Sequence, residues 1–133
     1  MREITYLLGD ATRPVSSGPK IIVHICNDIG AWGKGFVLAL SARWPEAERA
    51  YREWYRRREH NDFALGSVQF VIDSENILVA NMIAQRGIRG SAEGPPIRYE
   101  ALEVCLKRVA EEAVVLKASV HMPRIGSGLA GGN

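Results

Sequence analysis

The sequence predicts an α/β fold, a sheet covered by helices, on three observations. The run Ile21-Ile22-Val23-His24-Ile25-Cys26-Asn27 is apolar on both faces, as a central strand between helical layers must be. It breaks at Asp28-Ile29-Gly30-Ala31-Trp32-Gly33-Lys34-Gly35 and resumes as the apolar run Phe36 to Leu40, which gives strand, glycine-rich turn and helix N-terminus in succession. A second glycine loop, Ile125-Gly126-Ser127-Gly128-Leu129-Ala130-Gly131-Gly132, follows another strand-like run. In α/β folds ligands sit outside the carboxyl ends of strands. A helix N-terminus preceded by glycines offers free backbone N–H groups and a positive dipole end to an anion. Two such loops in one small domain point to a ligand with more than one phosphate.

Composition sets the bounds. The 133 residues fit one domain. Hydrophobic residues make up 47% and charged residues 24%, enough for a packed core and against disorder. A formal net charge of +2 is too small to imply nucleic acid by itself. The two cysteines, Cys26 and Cys105, both sit in apolar patterns and read as buried thiols of a reducing compartment. The N-terminus MREITYLLGD lacks the apolar core of a signal peptide. No apolar run reaches the ~18 residues a membrane span needs. A cytoplasmic protein without a membrane partner is expected.

Taken in order, Ile4 to Leu8 reads as a short first strand ended by Gly9-Asp10. Arg13 to Lys20 is turn-rich, with two prolines and a glycine. Ile21 to Asn27 is the second strand. The first helix runs from Gly35 to Arg43 and stops before Pro45, a residue suited to the first turn of the next helix. That helix, Pro45 to His60, carries Ala47, Tyr51, Trp54 and Tyr55 on one face. Ser67 to Val71 and Ile77 to Ile83 read as a β-hairpin around Asp73-Ser74-Glu75-Asn76. Gln85 to Pro96 holds three glycines and two prolines, and at about 12 residues is long enough for a functional lid. Ile97 to Lys117 is a helix with Leu102, Cys105, Val109, Ala113 and Leu116 at three-to-four spacing. Ser119 to Ile125 is the last strand. Asn133 after glycines looks like a helix N-cap, so residues 1–133 are expected to form a single domain lacking its C-terminal helix or strand.

The Gly9-Asp10-Ala11 corner, the segment His24-x-Cys26-Asn27-x-x-Gly30-x-Trp32-Gly33-x-Gly35 and the segment Met122-Pro123-Arg124-Ile125-Gly126-Ser127-Gly128-Leu129 together resemble a macrodomain. The likeness covers essentially the whole chain. It is greatest to the branch of ADP-ribose-1''-phosphate phosphatases, or Appr-1-p processing proteins, which also includes the terminal-ADP-ribose protein glycohydrolases. The resemblance implies a three-layer α/β/α sandwich with a mixed central sheet and a cleft for ADP-ribose. No cofactor or metal is expected. Its partners would be ADP-ribose, ADP-ribose-1''-phosphate or ADP-ribosylated macromolecules.

By that resemblance Asp10 accepts a hydrogen bond from the adenine amino group, with a strand-ending turn aspartate as the competing reading, and Ala11 offers a nearby backbone N–H. Asn27 lies beside the distal ribose, or else caps the strand in an Asn-Asp turn. Gly33 and Gly35 form the first phosphate loop, a role compatible with a helix-start turn of unusual φ. Lys34 adds charge near the phosphate or stands solvated; Trp32 covers the distal ribose or belongs to the core. Arg124, Ile125, Gly126, Ser127, Gly128, Leu129 and Ala130 match the second loop, with Ser127, Gly128 and Leu129 toward the pyrophosphate.

The sequence departs from the family at the catalytic positions. Where the terminal-ADP-ribose glycohydrolases have a lysine after the fourth strand and an aspartate in the second loop, this chain has Gln85 and Ala130. Where another class has an aspartate at the start of the first helix, it has Val37. A lysine amine can attack the ribose carbon covalently and a glutamine amide cannot. Removing a 1''-phosphate asks instead for positioning, a water and charge stabilisation, much of which loop N–H groups supply. Asn27 and Asp28 are the nearest polar candidates for that chemistry, with His24 a distant third because it sits inside an apolar strand. His60 and His121 are isolated and show no metal-ligand spacing. Arg49, Arg52 and Arg56-Arg57-Arg58 read as a solvated helix face ahead of a nucleic-acid surface. A hydrolase of ADP-ribose derivatives and a non-catalytic ADP-ribose reader are the two leading expectations.

Overall fold

A computed structural model describes residues 6–7, 18–33, 36–87 and 97–122. Its elements are strand β1 (Tyr6–Leu7), strand β2 (Lys20–Asn27), helix α1 (Phe36–Arg43), helix α2 (Pro45–Arg56), a 3-10 turn (Arg58–His60), strands β3 (Val68–Ser74) and β4 (Ile77–Gln85), helix α3 (Tyr99–Leu116) and strand β5 (Ser119–His121). Among the described residues the strands form one sheet in the order β1-β5-β2-β4-β3. All neighbours are parallel except the β3–β4 hairpin, so the sheet is mixed.

Strand β2 has no solvent face: Ile21, Ile22 and Val23 are each 0% exposed. Side chains alternate across a strand, and both sets are covered. Ile22 and Cys26 share a core with Leu40, Ala47, Tyr51, Val79 and Ile83, on the side of α1 and α2. Ile21 and Val23 share a second core with Ala80, Met82, Leu102, Cys105 and Val109, on the side of α3. The result is a three-layer α/β/α sandwich. Each large aliphatic side chain so buried contributes about 1.5–3 kcal/mol.

Two register shifts interrupt the ladders. Between β2 and β4 the pairing slips after Cys26↔Ile83, so that Asn27 faces Gln85 at the carboxyl end of both strands. Between β3 and β4 it slips around Asp73. Bulges re-aim side chains, and Asp73 accepts a hydrogen bond from the Glu46 N–H through Oδ1 at 3.3 Å. Helix α2 starts at Trp44 and Pro45 without a side-chain cap of its own; β3 supplies one. Asp73 Oδ2 is buried without a partner, and burial raises the carboxyl pKa.

Strands β3 and β4 run on to Ser74 and Gln85, past the expected Val71 and Ile83, so the hairpin turn narrows to Glu75-Asn76; two helix boundaries and one core assignment also differ from expectation. Helix α2 ends at Arg56 rather than His60 because Asn61 donates its side-chain N–H to the Trp54 carbonyl, and the chain tightens into a 3-10 turn. Helix α3 begins at Tyr99 rather than Ile97 because Ile97 bridges to Gln85 and the Arg98 N–H donates to the Ala84 carbonyl. Leu116 is exposed rather than core: Lys117 turns left-handed (φ 56°) and Ala118 takes the next buried place. Arg49, Arg52, Arg56 and Arg57 are paired with Glu46, Glu48 and Glu53 on the exposed side of α2, a solvated helix face.

Lys117 holds a strained backbone. It is the non-glycine with positive φ among the described residues, a backbone that glycine adopts without strain. Lys117→Gly should raise stability by about 0.5–1 kcal/mol, read as a higher urea midpoint at constant slope. A lower midpoint would show that the lysine side chain contributes more than its backbone costs.

Candidate functional site

The parallel strands β1, β5, β2 and β4 bring their carboxyl ends to one edge of the sheet. At that edge β2 runs out at Asn27, and residues 28–33 cross from the strand toward α1. Asn27 closes this turn itself. Its Oδ1 accepts from the N–H groups of Ile29 and Ala31, each at 3.1 Å, and its Nδ2 donates to the Ala31 carbonyl. The Tyr51 hydroxyl, from α2, lies 2.8 Å from both the main-chain oxygen and Oδ1 of Asn27. Burial raises the pKa of Tyr51 and keeps that hydroxyl a donor. Asp28 ties the same turn to the end of β4: its N–H donates to the Gln85 carbonyl at 2.9 Å, and its Oδ1 accepts from the Gly87 N–H at 2.8 Å.

Gly30 and Gly33 both have positive φ, +77° and +88°. At Gly30 the demand is double, since a Cβ would stand 2.3 Å from the Tyr55 ring. Gly33 is exposed, and its surroundings are open but for Val37 at 4.0 Å from such a Cβ. Trp32 is buried in the α1–α2 core, with its ring centroid 5.1 Å from His24 and 5.4 Å from Tyr51. Its indole N–H donates to the Ser41 hydroxyl at 2.6 Å and the Val37 carbonyl at 3.2 Å. Trp32 thus anchors the turn from beneath.

His24 and Cys26, under the turn, are uncharged. His24 is 2% exposed and bonds through Nε2 to Oδ1 of Asn81. Asn81 donates its own N–H groups to the Ala47 carbonyl and to Gln69 Oε1, so His24 Nε2 carries the proton. Burial lowers the His24 pKa to about 4, and the Asn81 contact offsets this only in part. Burial raises the thiols of Cys26 and Cys105, the latter to about 11, so neither is a thiolate. His121 lies 2.7 Å from the Ser119 hydroxyl, and burial lowers its pKa. Among the described residues no three of His, Cys, Asp and Glu converge as a metal site, and no helix is long and apolar enough to cross a membrane.

The structure brings Asn27, Asp28, Trp32 and Gly33 together at one strand end. Asp10, Ala11, Lys34, Gly35 and residues 124–130 lie outside the described residues, as does most of the Gln85–Pro96 loop. Gln85 stands at the end of β4 and bonds through Nε2 to the Gly87 carbonyl. Val37 is buried at the start of α1. Sequence reasoning placed Tyr51 only in the core, and Ser41 nowhere. Nothing local marks either one, since their partners are remote in sequence.

No family model matches the chain. It is similar to a solved structure of a protein of unknown function from Bacteroides thetaiotaomicron, with 60% identity and a TM-score of 0.89 over 98% of this chain and 83% of that one. A macrodomain protein from Streptomyces coelicolor is 56% identical, with a TM-score of 0.84 over 98% and 83% of the two chains. An ADP-ribose 1''-phosphate phosphatase from Candida albicans is 25% identical over 96% of this chain and 85% of that protein. Chromodomain-helicase-DNA-binding protein 1-like from Danio rerio is 35% identical over 98% of this chain, which spans 13% of that much longer relative.

Two measurements check this geometry. Gly30→Ala combines left-handed strain with a clash and should cost more than about 2 kcal/mol. Gly18→Ala, at φ +85° with nothing within 4 Å of the added Cβ, should cost about 1 kcal/mol. Equal costs would mean that the Tyr55 ring yields freely. The second measurement is pH dependence. His24 takes up a proton near pH 6.5 when unfolded and near pH 4 when folded. Between those values the unfolded state binds more protons, so stability falls as the pH drops, by about 2 kcal/mol from pH 7 to 5. His24→Gln should remove that part of the slope; an unchanged slope would show that His24 is protonated in the fold.

Proposed function

The chain belongs to the macrodomain family, and from that premise we propose that it binds ADP-ribose or a derivative and hydrolyses it, most concretely as an ADP-ribose 1''-phosphate phosphatase. The observation that carries the reading is the turn at the carboxyl end of β2. It is a glycine-bearing turn held from three sides, exposed at Gly33 and leading toward α1. The N–H groups of Asp28, Ile29 and Ala31 are used within the fold, which leaves the Gly33 end of the turn to meet phosphate oxygens with backbone N–H groups. The Candida albicans relative is named for the same substrate.

On this reading the residues from Asn27 to Gly35 meet the distal half of the ligand, with Asn27 at the ribose and Gly33, Lys34 and Gly35 at the phosphates. Asp10 and Ala11 hold the adenine end, and residues 124–130 close on the pyrophosphate. Asp28 is the candidate base. One of its oxygens is engaged by Gly87, which fixes the carboxylate beside the turn. Release of a 1''-phosphate needs the phosphate positioned, a water aligned and developing charge met by N–H donors. The glycohydrolase route is disfavoured, because Gln85 has no amine to attack the ribose. ADP-ribosylated macromolecules fit as ligands in the second reading, a non-catalytic reader. That reading is favoured by one observation: the Asn27 amide and Asp28 Oδ1 are both occupied in holding the turn. A nucleic-acid role is weakened by the Arg–Glu pairing along α2.

Calorimetric titration tests the common part. ADP-ribose should bind in the micromolar range, about −8 kcal/mol, and AMP much more weakly; no binding of ADP-ribose overturns the proposal. Turnover of ADP-ribose-1''-phosphate then separates enzyme from reader. Activity that survives Asp28→Ala within a few-fold removes Asp28 as the base.

A further inference from the structure

Helix α2 carries Glu48, Tyr51 and Tyr55 at i, i+3 and i+7, a single stripe of the helix. Each reaches a different point of the turn that succeeds β2. The Tyr51 hydroxyl holds Asn27 at 2.8 Å, by main chain and side chain together. The Tyr55 ring lies against Gly30, close enough that no other residue fits there. Glu48 acts through a relay: its Oε1 accepts from the Ser41 hydroxyl at 2.8 Å, and Ser41 accepts from the Trp32 indole N–H at 2.6 Å. Arg52 fixes the other oxygen of Glu48 at 2.9 Å. The start, middle and end of the turn are therefore registered against one rigid helix.

A hydrophobic core does not require this arrangement. A phenylalanine would fill the place of Tyr51, and a hydrogen-bonded relay is not needed to bury Trp32. What the three contacts have in common is the path of residues 27–33. We infer that the Glu48–Tyr51–Tyr55 stripe is the template that sets this turn for its ligand, and that Tyr51 and Ser41 are positioning residues of the site. The inference rests on the proposed binding of ADP-ribose and adds residues to it that touch no ligand. Binding geometry of this kind is held by groups behind the contact surface, and small displacements there weaken binding.

The test compares the full chain with Tyr51→Phe and Ser41→Ala. Tyr51→Phe removes one hydroxyl and keeps the ring, and Ser41→Ala breaks the relay at a site outside the apolar core; the second stands in should the first fail to fold. ADP-ribose should bind about tenfold more weakly to each variant, while AMP, which lacks the distal ribose, should bind as it does to the wild type. Amide exchange at Ile29 and Ala31 should quicken while that of Ile22 and Val79 stays slow. A loss shared equally by ADP-ribose and AMP, or no change in ADP-ribose affinity, overturns the inference and leaves the ADP-ribose reading standing. A wild-type chain that binds no ADP-ribose overturns that reading and this inference with it.

Discussion

Strand β2 cannot face water on either side, and the rest of the architecture depends on that. Eight residues with apolar groups on both faces need a parallel neighbour on each edge and a helix over each surface. Strands β5 and β4 supply the edges, α1 and α2 one surface, and α3 the other. The strand stays buried as far as Asn27. At its carboxyl end the first strongly polar pair, Asn27 and Asp28, meets the slipped register with β4. The turn forms there because the ladder slips and Asn27 supplies partners for the backbone groups of Ile29 and Ala31.

A second constraint is polar and lies inside the first. His24 bonds to Asn81, Asn81 bonds to Gln69 and to the Ala47 carbonyl, and Gln69 donates to the Ala50 carbonyl. This line ties β2 to β4, β4 to β3, and both β4 and β3 to α2. A one-residue slip of any strand would put a polar group against an apolar core. Apolar packing on its own tolerates sliding better than this network does. Asp73 adds a fixed point at the edge strand by meeting the first turn of α2. Helix α2 is thereby located against the sheet at its start and along its length, which lets it serve as a reference for the turn above it.

The layout of the fold was legible in the sequence because periodicity is local. The apolar run at Ile21, the alternation around the Glu75-Asn76 turn and the spacing from Leu102 to Ala113 each report an element without outside help. The misplaced boundaries at His60 and Ile97 came from contacts made elsewhere, an Asn61 side chain and a bridge to Gln85, and the misassigned Leu116 from the left-handed turn at Lys117. The candidate site divides in the same way. Asn27, Asp28 and the glycines were legible, since turn chemistry is written in adjacent residues. Tyr51 was legible as buried, but its hydroxyl acts 24 residues away on Asn27. Asn81 carries a local signal that the strand pattern hides: a polar amide inside Ile77-Leu78-Val79-Ala80-Asn81-Met82-Ile83 must find a buried partner.

The side chains around the turn are chemically quiet. His24 is neutral, the two thiols keep their protons, and the Asn27 amide is committed to its own turn. Asp28 is the carboxylate at the strand end, and one of its oxygens already holds Gly87. Among the described residues, little is left there to act as a strong nucleophile. On the proposed reading the turn works through the backbone N–H groups it presents at its Gly33 end, since those of Asp28, Ile29 and Ala31 are taken within the fold. Such groups stabilise negative charge without reorganising, because the folded chain has already fixed their direction. Phosphate oxygens are the ligand atoms best served by that arrangement, and a ribose carbon awaiting covalent attack is the worst served. The same reasoning explains why so much of α2 is engaged in placing residues 27–33. Where the chemistry depends on dipoles rather than on reactive side chains, the accuracy of the backbone sets what the site can do, and that accuracy is fixed by the helix behind it.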